Sequence, residues 1–167
     1  MKSIVIIGVM GAGKTTYTKT LLKKIPKEKI ICYDIYGEYK DTSISFSADK
    51  YSIEQFSQVV STVKNKVILY EDATLFFNNR SSGKSLQKLI SMFVKCRHNN
   101  NFLILLYHSI HTIPLNVFSL VQYICLLKTK DNIAYIEKKY SEFPELINFA
   151  KLLKTEPPYA HHLIKNL

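Results

Sequence analysis

Gly8-Val9-Met10-Gly11-Ala12-Gly13-Lys14-Thr15-Thr16 has the spacing GxxxxGK[ST], a pattern whose chemistry is the capture of phosphate. Glycines at 8, 11 and 13 permit positive φ and close approach of the main chain to a pyrophosphate. The N–H groups from Gly11 through Ala12, Gly13 and Lys14 to Thr15 and Thr16 can then converge on phosphate oxygens. Lys14 adds a point charge for the β- and γ-phosphates, and Thr15 offers a hydroxyl to Mg²⁺. Such a loop needs a strand before it and a helix after it. Ser3–Ile7 supplies the apolar strand, and 15–25 reads as the helix. A second Gly-Lys-Ser, at residues 83–85, lacks the upstream glycine and strand and reads as loop.

A second chemical element lies at Glu71-Asp72, directly after the apolar run Val67-Ile68-Leu69-Tyr70. Paired carboxylates at the C-terminal end of a buried strand sit where open α/β sheets bind ligands. Beside a phosphate loop, one acid organises Mg²⁺ through its water shell and the other polarises an attacking water. The register gives Glu71 the metal position and Asp72 the water position, and a one-residue slip would exchange them. His108, at the end of the apolar run Phe102–Tyr107, is the polar edge residue placed to sense a γ-phosphate. His98, His111, His161 and His162 show no metal-ligand spacing and read as structural.

Apolar runs at 3–7, 29–33, 66–70, 102–107 and 121–127 alternate with helical or loop segments. That alternation predicts an α/β, three-layer P-loop fold with a mostly parallel central sheet flanked by helices, as one domain over residues 1–167. Ser52 and Gln55 form a capping box before an apolar helical face of Ile53, Phe56, Val59, Val60 and Val63. Leu86, Leu89, Ile90, Phe93 and Val94 show the same period in a helix closing at 95–98. Residues 78–83 read as a flexible loop, 133–136 as a short strand, and 143–153 as a helix with Pro144 in its first turn. Pro157-Pro158 precedes what reads as a short basic tail.

The formal net charge of +10 over 167 residues comes from 23 Lys and Arg against 13 Asp and Glu, and only Arg80 and Arg97 are arginines. This fits either a polyanionic partner or a lysine-solvated surface. Clusters decide between the two, and the chain has one at Lys19, Lys23, Lys24, Lys27 and Lys29 and another at Arg80, Lys84 and Lys88. The longest apolar run is far short of a membrane span, and the apolar N-terminal stretch is used by the first strand, so neither a membrane segment nor a signal peptide is expected. Cys32, Cys96 and Cys125 are widely spaced and read as reduced core thiols of a cytosolic protein.

Together these stretches resemble the FtsK/HerA superfamily of P-loop ATPases, and within it the viral genome-packaging ATPases. Asp34-Ile35-Tyr36-Gly37-Glu38-Tyr39 looks like the superfamily's D-x-x-G-E-Y segment. The acidic pair looks like its Walker B motif, and Arg97-His98, the following apolar strand, the polar sensor and Ile113-Pro114 look like its R-H block. His108 stands where glutamine is usual, and the acids are reversed from Asp-Glu. The resemblance implies an ATP- and Mg²⁺-dependent DNA translocase in a ring of five or six copies. Arg97 would be an arginine finger reaching a neighbour's site, an effect worth roughly 10³–10⁵ in rate in NTPases. It further implies Arg80, Lys84 and Lys88 against the DNA backbone, a capsid vertex as partner, and residence in the host cytoplasm or virion. A small nucleotide or nucleoside kinase and a phage-assembly ATPase are the rival readings. The scarcity of arginines weighs against the first, and the lack of a transmembrane segment against the second.

Overall fold

The computed structural model describes residues 2–78 and 83–165, without the side chains of 84–86. Among these residues, seven strands form one sheet: β1 (Ser3–Ile7), β2 (Ile30–Asp34), β3 (Ile44–Ser47), β4 (Val67–Tyr70), β5 (Phe102–Tyr107), β6 (Tyr123–Leu127) and β7 (His161–Lys165). Their order across the sheet is β3-β2-β4-β5-β1-β6-β7. All pairings are parallel except β6 with β7.

The continuous apolar runs of β1, β4 and β5 follow from burial on both faces, where alternation has no role. On one face, Val5, Ile7, Ile68, Leu103, Leu105 and Ile124 meet apolar residues of α2 (Ile53–Thr62), α3 (Gly83–His98), α4 (Leu115–Leu120), α5 (Ile133–Lys139) and α6 (Pro144–Leu152). On the other face, Ile4, Ile6, Cys32, Leu69, Ile104 and Cys125 pack with Leu22 of α1 (Lys14–Leu22) and with Tyr39. The expected three layers are therefore unequal, since α1 is the helix supplying apolar residues to the second face. The three cysteines are buried and free.

Three local expectations are corrected, and one strand goes beyond them. Ile133–Ile136 opens α5 instead of forming a strand, because the Asn132 side chain caps Tyr135 N–H and starts a helix. The basic tail is β7, pairing with β6 from Tyr123↔Lys165 to Leu127↔His161 and closing that edge of the sheet. Gly83-Lys84-Ser85 begins α3 and is not loop. The polar strand β3, half-exposed and without an apolar signature, also joins the sheet, paired to β2. The capping box of α2 is present with both of its hydrogen bonds. No helix among the described residues is long and apolar enough to cross a membrane.

Candidate functional site

The phosphate loop joins β1 to α1 and is pinned on both flanks: Gly8 N–H donates to Tyr107 O (3.0 Å) and Val9 N–H to Lys128 O (3.0 Å). Gly11 (φ 78°) and Gly13 (φ 94°) hold left-handed backbone that side chains resist, as the spacing predicts. Gly8 is a different case, because its φ is not positive. A Cβ there would lie 3.0 Å from Leu127 Cβ and 3.2 Å from Ala12 Cβ, so close packing is what requires glycine. Gly13 is the N-cap of α1, which presents its first N–H groups into the loop.

The strand order places β5 between the loop strand and the acidic strand, so their C-terminal ends face one another across a single strand. His108 stands on that middle end. Its Nδ1 is 3.3 Å from Lys14 Nζ and its Nε2 is 3.0 Å from Asp72 Oδ2. Lys14 Nζ also donates to Gly8 O (2.7 Å) and Val9 O (3.2 Å). Partial burial lowers the Lys14 pKa, opposed by the nearby Asp72 and Glu38 charges. Asp72 is buried, and its Oδ1 accepts from Thr74 N–H (3.1 Å), capping the turn after β4.

Glu71 is also buried. Its Oε2 accepts Ile35 N–H (2.5 Å) and Tyr36 N–H (2.8 Å), while Oε1 has no hydrogen-bond partner among the described residues. Burial, with the neighbouring Asp34 carboxylate, pushes the Glu71 pKa up to about 7, against the two backbone donors. Asp34 itself accepts Glu38 N–H (3.0 Å), Tyr39 N–H (3.2 Å) and Ser45 Oγ–H (2.8 Å), which folds the segment after β2 into a turn.

That turn delivers a residue to which the sequence reading assigned no role. Glu38 Oε2 accepts the Thr15 hydroxyl at 2.6 Å, so an exposed carboxylate sits on the hydroxyl expected to meet Mg²⁺. The only sequence signal for it is its place in the D-x-x-G-E-Y segment. Asp131 was likewise missed. Buried, it accepts from Ile110 N–H (2.8 Å) and from the His111 ring (2.7 Å), tying the segment after His108 to that after β6.

No group of three or more His, Cys, Asp and Glu among the described residues is arranged to hold a metal alone. A loop that shares Mg²⁺ with phosphates and water needs only one or two protein ligands. The Thr15 hydroxyl and Glu71 Oε1, which is left without a hydrogen-bond partner, are oxygen donors of the kind such an ion takes.

The remaining candidates lie elsewhere. Arg97 is exposed near the C-terminus of α3, beside the turn into the N-terminal end of β5, and so at the opposite edge of the sheet from its own phosphate loop. Arg80 lies outside the described residues, and Lys84 is described only as backbone in the first turn of α3. Lys88 is exposed and paired with Glu54 at 3.3 Å. Lys19, Lys23 and Lys27 line a separate cleft of about 520 Å³ with Thr16 and Asp41.

No family model matches the chain, and no curated protein matches it by sequence. Solved structures do. The genome packaging NTPase B204 from Sulfolobus turreted icosahedral virus 2, in complex with ATP-gammaS, superposes with a TM-score of 0.75 at 18% identity. That match covers 99% of this chain and 92% of that one. The same NTPase in complex with AMPPCP gives 0.72 at 17% identity, covering 99% and 92%. The N-terminal domain of zonular occludens toxin from Neisseria meningitidis gives 0.54 at 17% identity, covering 77% and 78%. With its phosphate loop, acidic strand end and intervening strand in place, this chain has the P-loop NTPase fold, and in that fold it is similar to viral genome-packaging NTPases over nearly its whole length.

Proposed function

We propose that the protein binds ATP with Mg²⁺ and hydrolyses it to ADP and phosphate, and that a ring of its copies uses the reaction to translocate DNA during viral genome packaging. The observation that carries the reading is the contact series Lys14–His108–Asp72, spanning three adjacent strand ends. It joins a phosphate cation and a carboxylate through a polar sensor between them, a set of groups suited to γ-phosphate hydrolysis. The likeness in fold to packaging NTPases supports the DNA-translocating part.

On this reading, the N–H groups from Gly11 to Thr16 hold the phosphates, and Lys14 leaves the carbonyls of Gly8 and Val9 to meet the β- and γ-oxygens. Thr15 and Glu71 hold Mg²⁺, which neutralises charge on the phosphates when bound. Glu38 gives up the Thr15 hydroxyl. Asp72 orients and polarises the attacking water, with His108 reporting the γ-phosphate to it. Arg97, remote from its own loop, reaches the site of a neighbouring copy in a ring of five or six. Arg80, Lys84 and Lys88 meet DNA phosphates without reading bases. A capsid vertex is the docking partner, in host cytoplasm or virion.

The test is phosphate release with and without DNA, with Lys14→Ala as control. DNA-stimulated release lost in Lys14→Ala supports the proposal, and transfer of the phosphate to a small acceptor instead would replace it with a kinase.

A further inference from the structure

The two flanks of the phosphate loop differ in kind. On one side of β1, the ends of β5 and β4 carry His108, Asp72 and Glu71, the groups suited to a terminal phosphate. On the other side stand β6 and the antiparallel edge strand β7. A nucleotide whose terminal phosphate faces the acids extends its ribose and base toward β6 and β7.

Tyr159 stands there, two residues before β7. A Cβ placed on Gly13 would lie 3.0 Å from Tyr159 Cδ1 and 3.8 Å from Cε1, so the ring lies against the last glycine of the loop. The residue is nonetheless 67% exposed. Its backbone is left-handed (φ 70°), a conformation that a tyrosine rarely adopts and that clusters at ligand-facing positions. The turn is held by Ala160 N–H donating to Pro157 O (3.2 Å) and by His161, whose ring lies 4.7 Å from that of Tyr17 in α1. An aromatic ring fixed beside a phosphate cradle, held in strained backbone and bared to solvent, contributes little burial to the fold. What it offers is a flat surface.

We propose that Tyr159 is the nucleobase platform, its ring stacking on the base of the nucleotide whose phosphates lie on Gly11 to Thr16. The proposal rests on the nucleotide-binding reading above and adds to it the residue that grips the base. The ring reads the π-face of the base, so its contribution is absent for a ligand of phosphates alone.

The experiment measures calorimetric affinity for ATP and for inorganic tripolyphosphate, each with Mg²⁺, in the wild type, Tyr159→Ala, Tyr159→Phe and Lys14→Ala. Tyr159→Ala is expected to weaken ATP binding roughly 5- to 100-fold, the range of base–aromatic stacking. It should leave tripolyphosphate within about 2-fold, and Tyr159→Phe should match the wild type for both, because the ring and not the hydroxyl stacks. Unchanged ATP affinity in Tyr159→Ala overturns the proposal. So does an equal loss for both ligands, which would make the ring a prop for the loop. Loss of both ligands in Lys14→Ala with a base-selective loss in Tyr159→Ala supports the phosphate site and the platform separately. Failure of the wild type to bind either ligand overturns the nucleotide reading and the platform with it.

Discussion

His108 Nε2 lies 3.0 Å from Asp72 Oδ2, and this pair joins the phosphate-loop lysine to the acidic strand end. Lys14, a donor only, faces the other ring nitrogen, so Nδ1 accepts and Nε2 carries the proton that it donates to Asp72. Glutamine offers one acceptor and one donor at a similar reach. A histidine can therefore occupy this edge position without a change in bonding logic.

Removing that bridge separates binding from turnover. His108→Ala is expected to lower kcat by about 10- to 100-fold with a much smaller change in ATP affinity, because the loop contacts remain. His108→Gln should recover most of the loss. Steady-state phosphate release together with equilibrium ATP binding checks this, and an alanine variant at wild-type kcat would remove His108 from the site.

Lys14→Ala is expected to weaken Mg·ATP binding by at least about 100-fold and to abolish turnover, since no other described cation is placed by the loop against the β- and γ-phosphates. Fluorescent-nucleotide titration is the measurement. Undiminished affinity would mean that the loop is not a nucleotide site.

The raised pKa of Glu71, about 7 against an ordinary 4.5, has a consequence for stability. The folded chain holds this proton more tightly than the unfolded chain. Between about pH 4.5 and 7 stability therefore falls as pH rises, by up to about 3 kcal/mol from this group. Glu71→Gln keeps the oxygen that accepts Ile35 and Tyr36 N–H and removes the ionisation. In the absence of nucleotide it is expected to raise Tm by roughly 6–12 °C at pH 8 and hardly at all at pH 5. Thermal melts at the two pH values decide it, and an equal shift at both would assign the effect to packing.

Arg97 sits at the opposite sheet edge from its own loop, and the catalytic role proposed for it is therefore in trans. Arg97→Ala is expected to keep ATP affinity within about 3-fold while losing at least about 100-fold in turnover. Mixed with Lys14→Ala it should regain activity, because one class of interface then pairs an intact arginine with an intact loop. Turnover of the mixed variants measures this, and a loss without rescue would place the arginine's action within one chain.

DNA affinity is expected to be independent of base sequence and to fall steeply with salt, by about 10-fold or more between 50 and 200 mM, as phosphate contacts release counterions. Fluorescence anisotropy with unrelated duplexes checks this. A flat salt dependence would remove the lysine surface from DNA binding.

Local rules carried the reading wherever one segment contains its own cause. The glycine spacing dictated the turn at Gly11 and Gly13, the apolar runs dictated β1, β4 and β5, and Ser52 with Gln55 dictated the start of α2. Where the cause lies in a distant partner, the sequence was silent. β3 is a polar strand made a strand by the β2 edge, and the basic tail becomes β7 only because β6 leaves its hydrogen bonds open to it. The candidate site divides the same way. Lys14, Thr15, Glu71, Asp72 and His108 were legible because each ends or follows a buried run, and residue type there speaks for chemistry. Glu38 on the Thr15 hydroxyl and Tyr159 over Gly13 were not, since 23 and 146 residues separate the partners and nothing local signals the contact. The order of strands decided the rest. By inserting β5 between β1 and β4, it turned three separate motifs into one line of contacts.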